Sequence, residues 1–151
     1  MRFGERGNID PMLEYEVTAR REDAHGSAAR CKGASIVLDT DINGRTDAFN
    51  PAELLLAALA ACIIKGIERV TPILKFRLHG VEVRVHGTRQ DDPPKMSTIV
   101  YEIVVATDEP DRRLELLHQN VRRYGTVFNT IAPGTALSGT LRRAADTDED
   151  R

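Results

Sequence analysis

Cysteine is scarce. The 151 residues include two, Cys31 and Cys62, too few for the disulfide framework of a small secreted domain. Other absences narrow the field further. No basic stripe with interleaved aromatics occurs, and Lys+Arg 21 against Asp+Glu 23 is nearly balanced, so nucleic acid is not an expected partner. The stretch MRFGERGNIDPML lacks the apolar core of a signal peptide. The one long apolar run is too short to span a membrane and is followed by Lys65, Glu68 and Arg69. His25, His79, His86 and His118 show no metal-ligand spacing with each other or with the cysteines, and no phosphate loop, Ser-His-Asp pattern or zinc pattern occurs. No linker, repeat or low-complexity segment interrupts the chain. These absences point to a single domain over 1–151 in a reduced, cytoplasmic compartment, with no bound metal or organic cofactor. Residues 1–12 read as a loose arm and 144–151 as an acidic tail.

What is present is periodic. Leu13, Tyr15, Val17 and Ala19 alternate with Glu14, Glu16, Thr18 and Arg20, as in a half-buried strand. The polar stretch from Arg21 to Ser27 turns the chain, and strands follow over Ala29–Cys31 and Ala34–Asp39. A turn-rich loop, DTDINGRTD, leads to a central helix. Pro72 breaks or kinks that helix, because proline cannot donate to the helical ladder. Val81, Val83 and Val85 mark another strand, Gln90 to Lys95 a loop, and Ser97–Ala106 a strand rich in β-branched residues. Asp108 or Glu109 caps a second helix with Leu114, Leu117, Val121 and Tyr124 at helical spacing. His118 falls on it as a surface or edge residue. Thr135–Arg143 is a last strand with Leu137 and Leu141 inward. Strands are grouped rather than alternating with helices, which predicts an α+β fold with mostly antiparallel pairing.

The central helix carries the most information. Asn50 to Gly66, NPAELLLAALAACIIKG, is apolar nearly all round, so it is built to be surrounded by protein. Asn50 suits the cap, Pro51 the first helical position, and Glu53 the third place after the cap. A chain this short offers one other substantial helix and a few strands as cover, which points to a homodimer. Cys62 lies well inside the helix. It reads either as a small core hydrophobe or as a reactive thiol, and reactivity needs a thiolate opposed by positive charge. Lys65, three positions on, either serves that purpose or snorkels outward, and Arg69 shares the Cys62 face one turn further along.

The Asn-Pro start, the Leu/Ala-rich helix and the Ala61-Cys62 pair resemble the family of osmotically induced protein C (OsmC) and organic hydroperoxide resistance (Ohr) proteins. A second similarity is His118 to Ile131, HQNVRRYGTVFNTI, which looks like the family's second helix and following turn. Peroxidase members carry a Cys-Pro-Val-type motif there. Aligning on Val127, Asn129 and Thr130 puts Gly125 and Thr126 where that Cys and Pro would stand. The resemblance covers roughly Tyr15 to Arg143. It implies an OsmC-like fold, with mostly antiparallel sheets wrapped around central helices in an intertwined homodimer.

It also implies roles for particular residues. Cys62 becomes the peroxidatic cysteine, attacking a hydroperoxide to give a sulfenic acid. The arginine after the first strand falls on Arg20 or Arg21, of which Arg21 extends the inward register of Tyr15, Val17 and Ala19. The alternative for both is a solvated hairpin end. The family's glutamate after Asn-Pro is replaced by Ala52, with Glu53 next. At ~1.5 Å rise per residue Glu53 lies about 13 Å from Cys62 along the helix and on the opposite face, which suits capping or a partner's site. With no resolving thiol at Gly125, an external thiol reduces the sulfenic acid. Cys31 substitutes only if its Cα comes within ~7 Å of that of Cys62. Gly125 has a plainer explanation too, as a helix end requiring a left-handed residue. The first functional reading is therefore thiol-dependent reduction of organic or small hydroperoxides through Cys62. The alternatives are a non-enzymatic dimer that binds a small apolar ligand, with Cys62 structural, and a stress-associated scaffold with no site.

Overall fold

The computed structural model describes residues 12–145, so most of the expected arm and the acidic run of the tail lie outside the described residues. The chain divides at Pro51/Ala52 into two compact units, each with its own sheet.

The first unit is a three-stranded antiparallel meander of β1 (Thr18–Asp23), β2 (Gly26–Cys31) and β3 (Ala34–Leu38). The strand expected from Leu13 instead begins at Thr18. Its last partner is Arg30, and β2 ends one residue later where Lys32 takes φ 56°. Past Cys31, which lies opposite Val17 in that register, β2 offers nothing to pair with residues 13–16, and a strand without a ladder partner is not a strand. Leu13, Tyr15 and Val17 are exposed. The expected turn over Arg21–Ser27 shrinks to Ala24 and His25. Asp23 makes this possible, because its carboxylate accepts the backbone N–H groups of His25 (2.7 Å) and Gly26 (3.2 Å).

The following loop is organised by Asp39, which is buried and whose two carboxylate oxygens accept from the backbone N–H groups of Asp41 and Arg45. Its own N–H donates to Phe49 O at 2.9 Å. His25 Nδ1 lies 2.7 Å from Asp41 Oδ2, and Ser27 Oγ lies 2.7 Å from Thr40 Oγ1. The loop is thus tied to the β1–β2 hairpin before the chain enters its long helix.

That helix, α1 (Pro51–Leu74), runs through Pro72 without stopping, contrary to the expected break. Proline removes the N–H that would have bonded Glu68 O, but Thr71 Oγ1 donates to that same carbonyl at 3.2 Å. The helix then closes by two bonds, Phe76 N–H to Thr71 O and Lys75 N–H to Pro72 O, with Lys75 at φ 49°.

β4 (Gly80–Asp91) and β5 (Pro94–Ala106) form a long antiparallel hairpin, and β6 (Ala136–Arg143) adds to β5 in parallel. Three of the four strand pairings are therefore antiparallel. The expected loop at Gln90–Lys95 is only Asp92 and Pro93, joined by a cis peptide bond. Pro94 opens a strand, a position that tolerates a missing N–H. Between β5 and β6 lie α2 (Asp111–Tyr124) and α3 (Thr126–Ile131).

The core of this unit follows from the periods. Ile99, Tyr101, Ile103 and Val105 point inward at every second position of β5. They meet Leu59, Ile63, Ile67 and Val70 of α1 and Leu114, Leu117 and Val121 of α2. Leu137 and Leu141 pack against this cluster, whereas Tyr124 is exposed.

Neither Asp108 nor Glu109 caps α2. The cap position is Pro110, without a side-chain bond. The Glu109 carboxylate, in a residue only 6% exposed, is already committed to Arg77 N–H (3.0 Å) and Arg113 Nε (2.8 Å). The bond from Arg77 N–H, then the Arg113 and Arg77 charges, hold that carboxyl below its ordinary range. Arg113 also donates to Leu74 O, tying the end of α1 to the start of α2.

Candidate active site

Cys62 lies on the margin of α1's buried stripe. Leu59 and Ile63 are fully covered, while Ala58, Ala61, Lys65 and Arg69 are exposed. The thiol itself is free and partly exposed. Burial of one helix face against the sheet, with small alanines beyond it, leaves the sulfur at the boundary rather than in the core.

Against that sulfur lies Gly125. A Cβ built on Gly125 would sit 3.2 Å from Cys62 Sγ, 3.1 Å from Val121 O and 3.0 Å from Phe128 Cβ. The expected left-handed helix end is not observed, since Gly125 has φ −72° and ψ 120°. The chain leaves α2 in extended backbone because Gly125 at once becomes the cap residue of α3, its carbonyl accepting from Asn129 N–H at 2.9 Å. Close approach, not handedness, accounts for a glycine here. The sulfur, the Val121 carbonyl and the Phe128 side chain leave little room for a Cβ.

Phe128 connects this corner to a half-buried polar pair. Its ring meets Tyr101 edge-on at 6.0 Å between centroids, and Tyr101 Oη lies 2.6 Å from His118 Nε2. Tyr101 is 1% exposed and packs so closely on Gly139 that a Cβ there would fall 2.4 Å from the ring. His118 is half-buried, so of the two positions expected of it the edge applies rather than the open surface. The signal was present: Tyr101 is on the inward register of β5, where a hydroxyl needs a partner, and His118 is one turn from Leu114.

His25 and His118 should titrate on opposite sides of 6.5, the ordinary value. The Asp41 hydrogen bond and charge raise His25, whereas burial and the Arg122 charge lower His118. The His25–Asp41 contact is fully present below 6.5 and fades as pH rises through His25's higher value. Toward acid it fades as Asp41 is protonated, below the ordinary 3.8. Imidazole NMR titration checks this. Asp41→Asn should return His25 toward 6.5 and leave His118 where it is.

The remaining candidates are placed as follows. Strand pairing of Arg21 with Ser27 and Ala19 with Ala29 puts Arg21 on the Ser27–Ala29–Cys31 face. Arg20 pairs with Ala28 and lines the opposite face with Thr18, Glu22 and Arg30. Both arginines are exposed. Cys31 ends β2 and borders a small apolar hollow with Val17, Ala29, Ala34 and Ile36. Glu53 is exposed in the first turn of α1. Cys62 and Gly125 are the pair the fold brings into contact. Among the described residues no group of three or more His, Cys, Asp or Glu could hold a metal ion, and no helix is long and apolar enough to cross a membrane.

Residues 44–138 match the model of the OsmC family, described as OsmC-like protein. Among solved structures, an OsmC-like protein from Mycoplasma pneumoniae is similar at 17% identity and TM-score 0.80, over 88% of this chain and 99% of that one. The organic hydroperoxide resistance protein OhrB of Bacillus subtilis is similar at 19% identity and TM-score 0.60, over 86% and 98%. An organic hydroperoxide resistance protein OsmC from Legionella pneumophila is similar at 18% identity and TM-score 0.65, over 86% and 98%. At these identities the structural likeness concerns the fold alone. No curated protein matches in sequence.

Proposed function

The chain belongs to the OsmC-like protein family, and we propose that it is a thiol-dependent hydroperoxide reductase acting through Cys62. The observation that carries the reading is a free, partly exposed thiol at the edge of a buried helix, inside the matched segment. The names of the two hydroperoxide resistance neighbours lend it support.

In the first step the Cys62 thiolate attacks the distal oxygen of ROOH. The O–O bond breaks, an S–O bond forms, and the alkoxide takes a proton to leave as ROH. The sulfur is oxidised to sulfenic acid by two electrons and the peroxide is reduced by two. An external thiol then attacks that sulfur, releasing water and forming a mixed disulfide. A second external thiol displaces Cys62 as the free thiol. Gly125 places no sulfur beside Cys62, so the resolving thiol comes from outside. Arg21, or Arg20, supplies the positive charge that favours thiolate, and Glu53 holds that arginine, both across subunits of a homodimer.

The dimer is favoured by apolar side chains left uncovered in each unit. Ile73 of α1 is 76% exposed and Phe49 is 54% exposed, and burying one such side chain is worth ~1.5–3 kcal/mol. Sedimentation across dilution should therefore find a dimer down to nanomolar concentration; a stable folded monomer there would remove the shared site.

The activity is tested by titrating the reduced protein with cumene hydroperoxide and locating the oxidised sulfur by mass spectrometry. The expected product is one sulfenic acid at Cys62, reversed by added thiol. Oxidation no faster than that of free cysteine would end the enzymatic reading and favour a ligand-binding dimer with a structural Cys62.

A further inference from the structure

One turn beyond Cys62, α1 carries Gly66, and its presence has no steric cause. The residue is buried, and glycine in the middle of a helix costs stability relative to alanine. The other close glycines of this unit each explain themselves. A Cβ at Gly139 would strike the Tyr101 ring, one at Gly87 the Met96 side chain, and one at Gly125 would press on Cys62, Val121 and Phe128. A Cβ at Gly66 would meet nothing within 4 Å. The site is an open hollow.

Its position bears on the thiol. Cα–Cβ bonds in a helix tilt toward the N-terminus, so a side chain at 66 would extend over the turn that holds Cys62. Four residues' separation keeps the two on neighbouring parts of the same face. On its buried side the helix is apolar, with Leu59, Ile63, Ile67 and Val70 all covered, while Lys65, Glu68 and Arg69 of the same turns are exposed. A missing side chain here leaves apolar space alongside a partly exposed sulfur.

We propose that Gly66 is the specificity-determining residue of this site. The hollow it leaves receives the organic group of the hydroperoxide while Cys62 attacks the distal oxygen. It therefore sets the largest substituent that can approach the sulfur, and hydrogen peroxide has no use for it. This rests on the assignment of Cys62 as the reacting thiol.

The test uses the full chain in a Cys31→Ser background, comparing Gly66 with Gly66→Ala and Gly66→Leu. Rate constants for Cys62 oxidation are measured with cumene hydroperoxide and with hydrogen peroxide. Thiol modification by benzyl and by methyl methanethiosulfonate is measured in parallel, because it reads space at the sulfur without peroxide chemistry. Gly66→Leu should lower both bulky-to-small ratios at least about tenfold, with the hydrogen peroxide rate held within about twofold and alanine falling between. Ratios that agree across all three proteins overturn the proposal and leave the reactivity of Cys62 standing, as does an equal fall for bulky and small reagents. Peroxide inertness of the parent with a falling benzyl-to-methyl ratio does the reverse: the peroxidase reading fails and the hollow remains. Gly66→Ala guards against misfolding, since its added methyl has free space and improves helix propensity, so its melting temperature should not fall below the parent's.

Discussion

Replacing Cys62 with serine should abolish thiol-dependent hydroperoxide consumption, a loss of at least ~10³-fold, while the protein stays folded. Serine keeps the shape of the side chain and differs in the one property the chemistry uses. An alcohol is not ionised near neutral pH and cannot pass electrons to a peroxide, whereas a thiolate does both. The sulfur lies at the margin of the helix's buried stripe, partly exposed, so exchanging it for oxygen should cost little stability. Cys31→Ser is the matched control. That thiol sits at the end of β2, and its loss should leave turnover intact. Peroxide consumption and melting temperature measured on both variants separate a chemical loss from a structural one. Full turnover by Cys62→Ser, or its loss in Cys31→Ser, would exchange the roles of the two sulfurs. Slow labelling of Cys62 relative to Cys31 in the parent would argue the same way.

Much of this fold could be read from residue periods, and the misreadings have a common physical origin. A period reports which face is apolar. It gave the alternation of Val81, Val83 and Val85 in β4 and the buried face of α2 at Leu114, Leu117 and Val121. It does not report whether a partner is present, and so Leu13 to Val17 carried a strand pattern that runs past the end of β2. Pro72 was read from its own chemistry, yet its neighbour Thr71 repairs the bond that proline removes. Glu109 had the residue type of a helix cap, but Arg77, far away in sequence, and Arg113, one turn on, took its carboxylate. In each case a partner that the period does not report, present or missing, decided the outcome.

The site divided along the same line. Cys62 was visible in a family motif within one helix. Alignment put Gly125 at the place of the family's second cysteine, and only the junction of α2 and α3 supplies its distance from Cys62. Gly66 passed without notice, because a glycine inside an apolar helix looks like filler until the space around it is known. The Tyr101–His118 pair required two elements to be packed before the hydroxyl found its partner.

Gly125→Cys should convert the site to one that makes its own disulfide. A Cβ at position 125 falls 3.2 Å from Cys62 Sγ, close to the ~3 Å between a Cβ and the far sulfur that an S–S bond of ~2.05 Å implies. Sulfenic acid at Cys62 would then be attacked by the new thiol, which loses its proton as water leaves, and the two sulfurs join. The bond closes a loop of about 60 residues, and its restriction of the unfolded chain is worth up to about 4 kcal/mol. Crowding offsets part of this, because the same Cβ lies 3.0 Å from Phe128 Cβ and 3.1 Å from Val121 O. Both neighbours must give by a few tenths of an ångström. The reduced variant should therefore melt below the parent and the oxidised variant above it, and that reversal is the signature to measure. The parent, treated with the same peroxide, should carry sulfenic acid reversible by external thiols, or sulfinic acid with excess oxidant, and no internal bridge. Peptide mapping distinguishes the products. A Cys31–Cys62 bridge in the parent would make Cys31 the resolving thiol, and an oxidised Gly125→Cys protein with two free sulfurs would show that the corner cannot close.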